Sequence, residues 1–204
     1  MTAHAFACID SKVAPDNEPP DCDFHIHRAI TAGDYRTAIK LCATTHGSAI
    51  GRLCMALVGS QLDAQDLAQE TLVAAYTSLP NYRSDGSVRA FLFGIARHLC
   101  ARHVETRSRR EVKLRLVHSS QDGDSNSDGG AQDASVWLDK REKAERARTA
   151  LATLRPTERD AVVLRFMCEM TFSEVAGACG VDEPTARKRV SRAIARLRTS
   201  LGDA

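Results

Sequence analysis

The chain has 204 residues, enough for one large domain or two small ones. Aromatic residues make up only 5% of it, and with 12 glycines and 6 prolines this composition argues against a β-sandwich. The net charge of +2 is too small to indicate a nucleic-acid partner by itself, so any such signal must come from the local distribution of charge.

Neither a membrane span nor a secretory signal is expected from the apolar runs of the sequence. The seven cysteines include no C-x-x-C pair, and several fall on apolar helical faces. Such usage is typical of a reducing compartment in which cysteine serves as a small hydrophobic side chain. We therefore expect a cytoplasmic protein without membrane insertion.

The N-terminal part is predicted to contain a polar, proline-containing tail over 1–23, followed by helices. Apolar periodicity begins at Phe24, and Gly47 is expected to interrupt it before a second helical unit from Ala49 to Val58. The whole segment 24–118 is predicted to form one domain.

A third helix is predicted to begin at Asp63, with Asp66 completing a capping box, and to end at Pro80. Turn-forming residues follow up to Gly86, and a longer helix is expected from Ser87 toward Val117. One face of the third helix is apolar and includes Leu67, Thr71, Leu72, Ala75, Tyr76 and Leu79. The opposite face carries Gln65, Asp66, Gln69 and Glu70.

Basic residues are segregated along the chain. One run lies in the later half of the long helix and comprises Arg97, Arg102, Arg107, Arg109, Arg110, Lys113 and Arg115. The following segment, 119–135, is rich in Gly, Ser and Asp and is predicted to be a flexible linker. A second domain is then expected over 136–204, free to move relative to the first until a partner clamps the two together.

The C-terminal stretch has the layout of a helix-turn-helix. Thr157 with Asp160 and Thr171 with Glu174 are predicted capping boxes, and Gly180 marks the turn. Asp182 would cap a last helix that carries an apolar stripe and, on its remaining surface, Arg187, Lys188, Arg189, Arg192, Arg196 and Arg198. This pattern favours DNA binding over a solvated basic face on an ordinary bundle helix.

Other functional classes have weaker support. The sequence contains no Gly-rich phosphate loop, no nucleophile elbow and no credible catalytic triad, so no enzyme and no cofactor are predicted. His98, Cys100 and His103 invite a metal-site interpretation, but His98 and Cys100 point about 200° apart on a helix. We therefore expect no metal.

Two blocks of sequence together resemble a known family. Residues 63–110, DAQDLAQETLVAAYTSLPNYRSDGSVRAFLFGIARHLCARHVETRSRR, resemble the second conserved region of bacterial RNA polymerase sigma factors of the extracytoplasmic-function (ECF) type. The segments LATLRPTERDAVVLRF, TFSEVAGACGV and TARKRVSRAIARLR resemble their fourth region. The resemblance implies an all-α fold with two small helical domains joined by a flexible linker, the second a helix-turn-helix.

The resemblance also implies roles for individual residues. Docking on the clamp helices of the polymerase β′ subunit is assigned to Asp66, Gln69 and Glu70. Contacts with the minus-ten promoter element are assigned to Asn81, Tyr82, Arg83, Ser84, Arg97, Arg102, Arg107, Arg109 and Arg110. Contacts with the minus-thirty-five element are assigned to Thr185, Arg187, Lys188, Arg189 and Arg192. Tyr76 and Phe91 stand where the family usually has tryptophan, and Ala186 where it has valine.

As implied partners, the resemblance gives core RNA polymerase (through the β′ clamp helices and the β flap), promoter DNA and an anti-sigma factor. The alternative is a conventional helix-turn-helix regulator with an N-terminal sensing domain, which would bind duplex DNA without polymerase.

Overall fold

The computed structural model describes residues 21–82, 86–117 and 145–202. Within these ranges the chain forms helices and connecting turns, which confirms the predicted all-α class. Most of the predicted tail, the predicted linker 119–135, and the predicted DNA-binding residues Arg83 and Ser84 lie outside the described residues. The domain boundaries therefore stay a prediction.

Eight helical segments are described, numbered here in chain order. The first part of the chain contains α1 (Asp21–Thr31), α2 (Tyr35–Val58), α3 (Gln61–Ser78) with a 3₁₀ turn (Leu79–Asn81), and α4 (Val88–Val117). The second part contains α5, described over 145–152, α6 (Pro156–Val162) with a π-helical turn (Val163–Met167), α7 (Phe172–Cys179) and α8 (Glu183–Gly202).

Several helix boundaries differ from the sequence prediction. Gly47 does not interrupt α2, because the helix continues through it to a left-handed C-cap at Gly59. The cap of α3 is Ser60 rather than Asp63. Helix α6 begins directly after Arg155, whose backbone N–H donates to the Glu158 carboxylate at 3.4 Å.

By length and composition alone, helix α2 is long and apolar enough to cross a membrane, contrary to the expectation from the sequence. Its 24 residues have a mean hydropathy of 1.2 over the best window. Core residues Cys42, Ile50 and Leu53 are fully buried along one face of α2, which packs against α1, α3 and α4. This is the pattern of a central helix in a helical bundle, which satisfies the same length and composition test.

One hydrophobic core includes residues from both halves of the chain. Leu92 and Phe93 of α4 belong to it, as do Leu164, Met170 and Val175 from the C-terminal helices. Helix α4 packs against α7, and α2 packs against the π-helical turn. The two halves of the chain therefore pack against each other, a contact that the linker composition does not reveal, and the relative motion of the two domains stays a prediction.

Candidate nucleic-acid and protein interfaces

Helix α3 presents an exposed stripe that combines apolar and polar side chains. The predicted docking residues Asp66, Gln69 and Glu70 are all exposed. Leu62, Val73 and Tyr76 are exposed as well, at 75%, 67% and 47%. Together with Asp66 and Gln69, these three residues are spaced at intervals of four, three, four and three along α3. In a coiled coil, residues with this spacing form the face that packs against a second helix.

Sequence reasoning missed the apolar half of this stripe and assigned Tyr76 to the core. In the structure, the core side of α3 is formed by Leu67, Thr71 and Ala75. Three large apolar side chains exposed along one face of a helix form a candidate surface for a protein partner. The sequence signal for this surface was the heptad spacing of Leu62, Val73 and Tyr76. These residues form a second apolar stripe next to the one that faces the core.

A cleft of about 440 Å³ separates α3 from α4. On the α3 side it is lined by Asp63 and Glu70, and on the α4 side by Arg102, His103, Thr106, Arg107 and Arg110. His103 and Arg107 approach the Asp63 carboxylate at 3.4 and 3.9 Å. The structure thus brings Glu70, assigned to polymerase docking, next to arginines assigned to the DNA strand.

Tyr82 anchors the turn between α3 and α4. Its ring centre lies 5.0 Å from that of Phe91 and 5.9 Å from that of His27. Its hydroxyl donates to the carbonyl of Gly86, across residues 83–85. Asn81, beside it, is exposed. The partly buried Tyr82 ring therefore stabilises this turn. Less of its surface is available to stack on a base than in a fully exposed aromatic side chain.

The predicted strand-binding arginines of α4 are divided between two environments. Arg102, Arg107, Arg109 and Arg110 are exposed, and Arg109 pairs with Glu105 at 2.5 Å. Arg97 is partly buried: its Nη1 lies 3.2 Å from Asp160 Oδ2, and its Nε donates to the carbonyl of Ala178 at 3.1 Å. Arg97 is thus bound to the C-terminal helices rather than open to solvent.

The helix-turn-helix is formed by α7 and α8, as predicted. Thr171 and Glu174 form a reciprocal capping box, and Gly180 adopts a left-handed conformation with φ of 64°. Asp182 accepts a hydrogen bond from Thr185, which lowers the pKa of its carboxyl below the ordinary value. These caps fix the entry angle of α8. The predicted box at Thr157 and Asp160 is not formed, because α6 begins directly after Arg155 and Thr157 therefore lies within its first turn. Asp160 binds Arg97.

Side chains at the start of α8 are presented differently from one another. Lys188 and Arg192 are exposed one turn apart and so share a face. Arg187 is exposed but held, since its guanidinium lies over the Phe172 ring and bonds Glu183 at 3.0 Å. Arg189 is half-buried, and its charge acts on Asp160 and Cys179. Thr185 bonds Asp182 at the cap.

The side chains considered for a metal site are separated by the structure. Cys100 is fully buried, His98 is exposed, and His103 points to Asp63. Among the described residues, no group of three or more metal-ligating side chains is brought together.

Family comparisons agree with this arrangement of helices. The family model for sigma-70 region 2 matches residues 42–110, and that for sigma-70 region 4 matches residues 144–197. The ECF RNA polymerase sigma factor SigD of Mycobacterium tuberculosis is 30% identical over 176 residues, which cover 83% of this chain and 79% of SigD. The chain belongs to the ECF RNA polymerase sigma factors.

Other relatives are similar over a shorter length. SigC of Mycobacterium tuberculosis, an ECF sigma factor, is 32% identical over 133 residues. The match covers 64% of this chain and 65% of SigC, so the chain spans just under two thirds of that relative.

Two solved structures share the fold. The structure of CnrH in complex with the cytosolic domain of CnrY matches with a TM-score of 0.64 at 21% identity, over 90% of this chain and 99% of CnrH. The sigma factor RpoE from Bartonella quintana, solved with the anti-sigma factor NepR, matches with a TM-score of 0.58 at 23% identity, over 80% of this chain and 96% of RpoE. They support the arrangement of two helical domains.

Proposed function

We propose that this protein binds core RNA polymerase and directs it to initiate transcription at a specific class of promoters. The observation that carries this proposal is the exposed stripe of α3, where Leu62, Val73 and Tyr76 flank Asp66 and Gln69. Such a seam suits a partner that is itself helical, and the β′ clamp helices are the partner implied for an ECF sigma factor. Membership of that family supports the proposal.

The minus-ten element would be contacted by the turn around Tyr82 and by the basic side of α4. Asn81, Tyr82, Arg83 and Ser84 would receive an unpaired base, and Arg97, Arg102, Arg107, Arg109 and Arg110 would bind phosphates. Separation of a weak A·T-rich duplex requires a positive surface for the backbone and a site for unstacked bases, and neither requires a catalytic group. The exposed arginines of α4 supply the positive surface.

The minus-thirty-five element would be read by α8. Residues near the N-terminus of a recognition helix contact base edges in the major groove, and Arg or Lys there pairs with guanine O6 and N7. Lys188, Arg187 and Arg192 are exposed in this part of α8. Thr185 would reach phosphate or a thymine methyl group, and Arg189 would join the contact.

We further propose that the protein acts in the cytoplasm, where core polymerase is found, and is held inactive by an anti-sigma factor. The similar RpoE protein was solved in complex with a partner of this kind, the anti-sigma factor NepR. The β flap would contact the C-terminal helices.

The test is in vitro transcription with purified core polymerase on a library of promoter fragments. We expect selective initiation that depends on this protein and is lost in the double variant Asp66→Ala/Gln69→Ala. Gln61→Ala is the matched control, because Gln61 is exposed on the same helix, about 100° around the axis from the stripe. If core enzyme is not stimulated while the protein alone binds duplex DNA tightly, it is a conventional helix-turn-helix regulator instead.

A further inference from the structure

Two cysteines from different helices meet in the core of the N-terminal half. Cys54 lies in the last turns of α2, near the C-cap Gly59, and Cys100 lies in α4. Both side chains are fully buried in the hydrophobic core, and the two helices pack against each other. The two thiols are free and are hydrogen-bonded to each other. The fold therefore holds two sulfur atoms in contact without a covalent bond between them.

The hydrogen bond makes these two thiols chemically unequal. The Cys100 thiol donates to the sulfur of Cys54, which lowers the pKa of Cys54 and raises the pKa of Cys100. Burial raises the pKa of both thiols, so it opposes the effect on Cys54 and adds to the effect on Cys100. The thiolate is the nucleophilic form of cysteine, and a lowered pKa favours it. Cys54 is thus suited to attack an oxidant, with Cys100 beside it to complete a disulfide.

The other cysteines that the structure describes are in less reactive environments. Burial, and then the charge of Asp23, raises the pKa of Cys42 to about 11. Burial raises the pKa of Cys168 to about 12, and it also raises the pKa of Cys179. Oxidation should therefore select the pair on α2 and α4 over these three thiols, since susceptibility follows thiolate character.

A small oxidant can reach the pair through local opening at the end of α2. Helix ends open at a much lower free-energy cost than the whole domain, and Cys54 is close to the end at Gly59. Gly51, one turn earlier on a similar face of α2, has no side chain, and nothing lies within 4 Å of its Cβ position. Access for a molecule as small as hydrogen peroxide therefore needs no global unfolding.

We propose that Cys54 and Cys100 form a peroxide-sensitive dithiol whose oxidation to a disulfide joins α2 to α4. The Cys54 thiolate attacks one oxygen of hydrogen peroxide, the O–O bond breaks, and the leaving hydroxide takes up the thiol proton and becomes water. Cys54 is then a sulfenic acid. The Cys100 sulfur attacks the Cys54 sulfur, and the sulfenic hydroxyl leaves with the Cys100 proton as a second water. The two thiols lose two electrons, which the peroxide gains.

Formation of the disulfide would displace α4. Bonded sulfur atoms are only about 2.05 Å apart, which is closer than two thiols in a hydrogen bond, so the two helices must shift toward each other. Arg97 and Arg102, assigned to the minus-ten strand, lie on either side of Cys100 in α4. Oxidation should therefore lower initiation, and reduction should restore it. This consequence, unlike the disulfide itself, rests on the proposed function.

Peptide mapping of the full-length chain tests the disulfide directly. Reduced protein is treated with one equivalent of hydrogen peroxide, the remaining thiols are blocked with N-ethylmaleimide in urea, and the chain is digested with trypsin. We expect the main disulfide to join the peptide that begins at Leu53 to the peptide of residues 98–102, and to disappear after dithiothreitol. Cys42→Ala is the matched control, because it removes a fully buried cysteine from the same helix. It should give the same product as wild type.

Two serine variants test the assigned order of attack. Cys100→Ser keeps a hydroxyl donor beside Cys54 but cannot form the disulfide, so dimedone should trap a sulfenic acid at Cys54. Cys54→Ser leaves Cys100 without a more nucleophilic partner, and its oxidation should be on the order of tenfold slower. Circular dichroism checks that both variants are folded. Equal dimedone labelling of the two variants contradicts the roles assigned to the two thiols.

Polymerase-dependent transcription tests the consequence, with core enzyme added after catalase has removed the peroxide. We expect oxidised wild type to initiate severalfold less than the same sample after dithiothreitol, and Cys100→Ser to show no such loss. A disulfide between Cys54 and Cys168, or oxidation spread evenly over all cysteines, overturns the proposal. Unchanged initiation by the crosslinked protein overturns control of initiation by this pair. If the disulfide forms but reduced wild type does not stimulate polymerase, the dithiol is supported and the proposed function fails.

Discussion

Arg187 stacks on Phe172 across the helix-turn-helix, with its guanidinium carbon 4.3 Å from the ring centre. Arg165 approaches the same ring at 4.8 Å, so the aromatic side chain contacts two cations. The stack joins the first residue of α7 to the exposed start of α8. An arginine proposed to read a base is thereby held in one orientation before DNA arrives.

Removal of the ring should reduce promoter discrimination. Phe172→Leu keeps an apolar side chain but loses the stack, which contributes about 0.5–1 kcal/mol at an exposed site. We expect a roughly two- to fivefold smaller preference for a matched minus-thirty-five element over a mutated one in polymerase-dependent transcription. Phe172→Tyr keeps the stack and should behave as wild type. Equal discrimination by the leucine variant would show that Arg187 needs no such support.

Polymerase binding should depend on the exposed apolar residues of α3. Val73→Ser removes an apolar contact at the centre of the stripe without touching the core, because Val73 is 67% exposed. We expect core-polymerase affinity to fall on the order of tenfold, with little change in thermal unfolding. Phe24→Ser is the control, since Phe24 is equally exposed, at 65%, but lies on α1. Equal losses in both variants would argue against a specific site on α3.

Local signals predict the helices well where caps and periodicity agree. The capping box at Thr171, the left-handed Gly180 and the cap at Asp182 all follow from the sequence and are present. Predictions fail where one residue type is taken as decisive alone. Gly47 remains helical because its neighbours on α2, including Cys42 and Ile50, are packed in the core, and tertiary packing outweighs propensity.

The contact between the two halves could not be predicted from local pattern. Arg97 and Asp160 are 63 positions apart, and each has an ordinary local interpretation, as a phosphate ligand and as a helix cap. Gly94 of α4 and Gly177 of α7 also look like routine helix interruptions. Only the three-dimensional arrangement shows that Gly94 approaches Ala178 and that Gly177 approaches Ala90.

The turn before α7 holds a strained residue whose replacement should stabilise the protein. Glu169 has φ of 53°, a left-handed conformation that costs a residue with a Cβ atom about 1 kcal/mol or more. Glu169→Gly should raise the free energy of unfolding by up to about 1 kcal/mol, less the entropy that glycine adds to the unfolded chain. Glu169→Ala retains the Cβ atom and should give no such gain. Urea unfolding of the three proteins separates these outcomes.

Cys168 should report the opening of the contact between α4 and the C-terminal helices. It is 1% exposed beneath Arg89, and burial raises the pKa of its thiol to about 12, so very little thiolate is present at neutral pH. Alkylation followed by peptide mass spectrometry should be slow in wild type and on the order of tenfold faster in Gly177→Gln, because a Cβ atom at Gly177 would already lie 3.2 Å from the Cβ of Ala90 on α4. Cys42, whose pKa burial raises to about 11 within the N-terminal bundle, should not change. Parallel acceleration at both cysteines would indicate general unfolding.

Acid should favour the packing of the C-terminal helices against α4 through Asp160. Burial raises the pKa of this carboxyl above its ordinary value of 3.8, more than the contact with Arg97 lowers it. A chain in which this contact is formed therefore holds the proton more tightly than a chain in which the two halves separate and the carboxyl is solvated. By linkage, the stabilisation of the contact is fully present below the pKa of the solvated carboxyl and is lost as pH rises through the raised value.

The charged groups that act on Asp160 are Arg97, Arg159 and Arg189, which stay charged throughout this range, and the nearby thiols of Cys100 and Cys179, whose pKa values are raised, stay neutral. We expect fluorescence energy transfer between a dye on α1 and a dye at the end of α8 to rise as pH is lowered from 7 toward 4, and to lose this dependence in Asp160→Asn. The distance between the dyes is measured instead of overall stability, because other carboxyls also change stability with pH. The helix caps Asp34 and Asp182 have lowered pKa values, so they lose stabilisation as pH falls, whereas the contact of Asp160 gains it. The same pH dependence in the asparagine variant would assign the effect to another group and leave Asp160 a purely structural role.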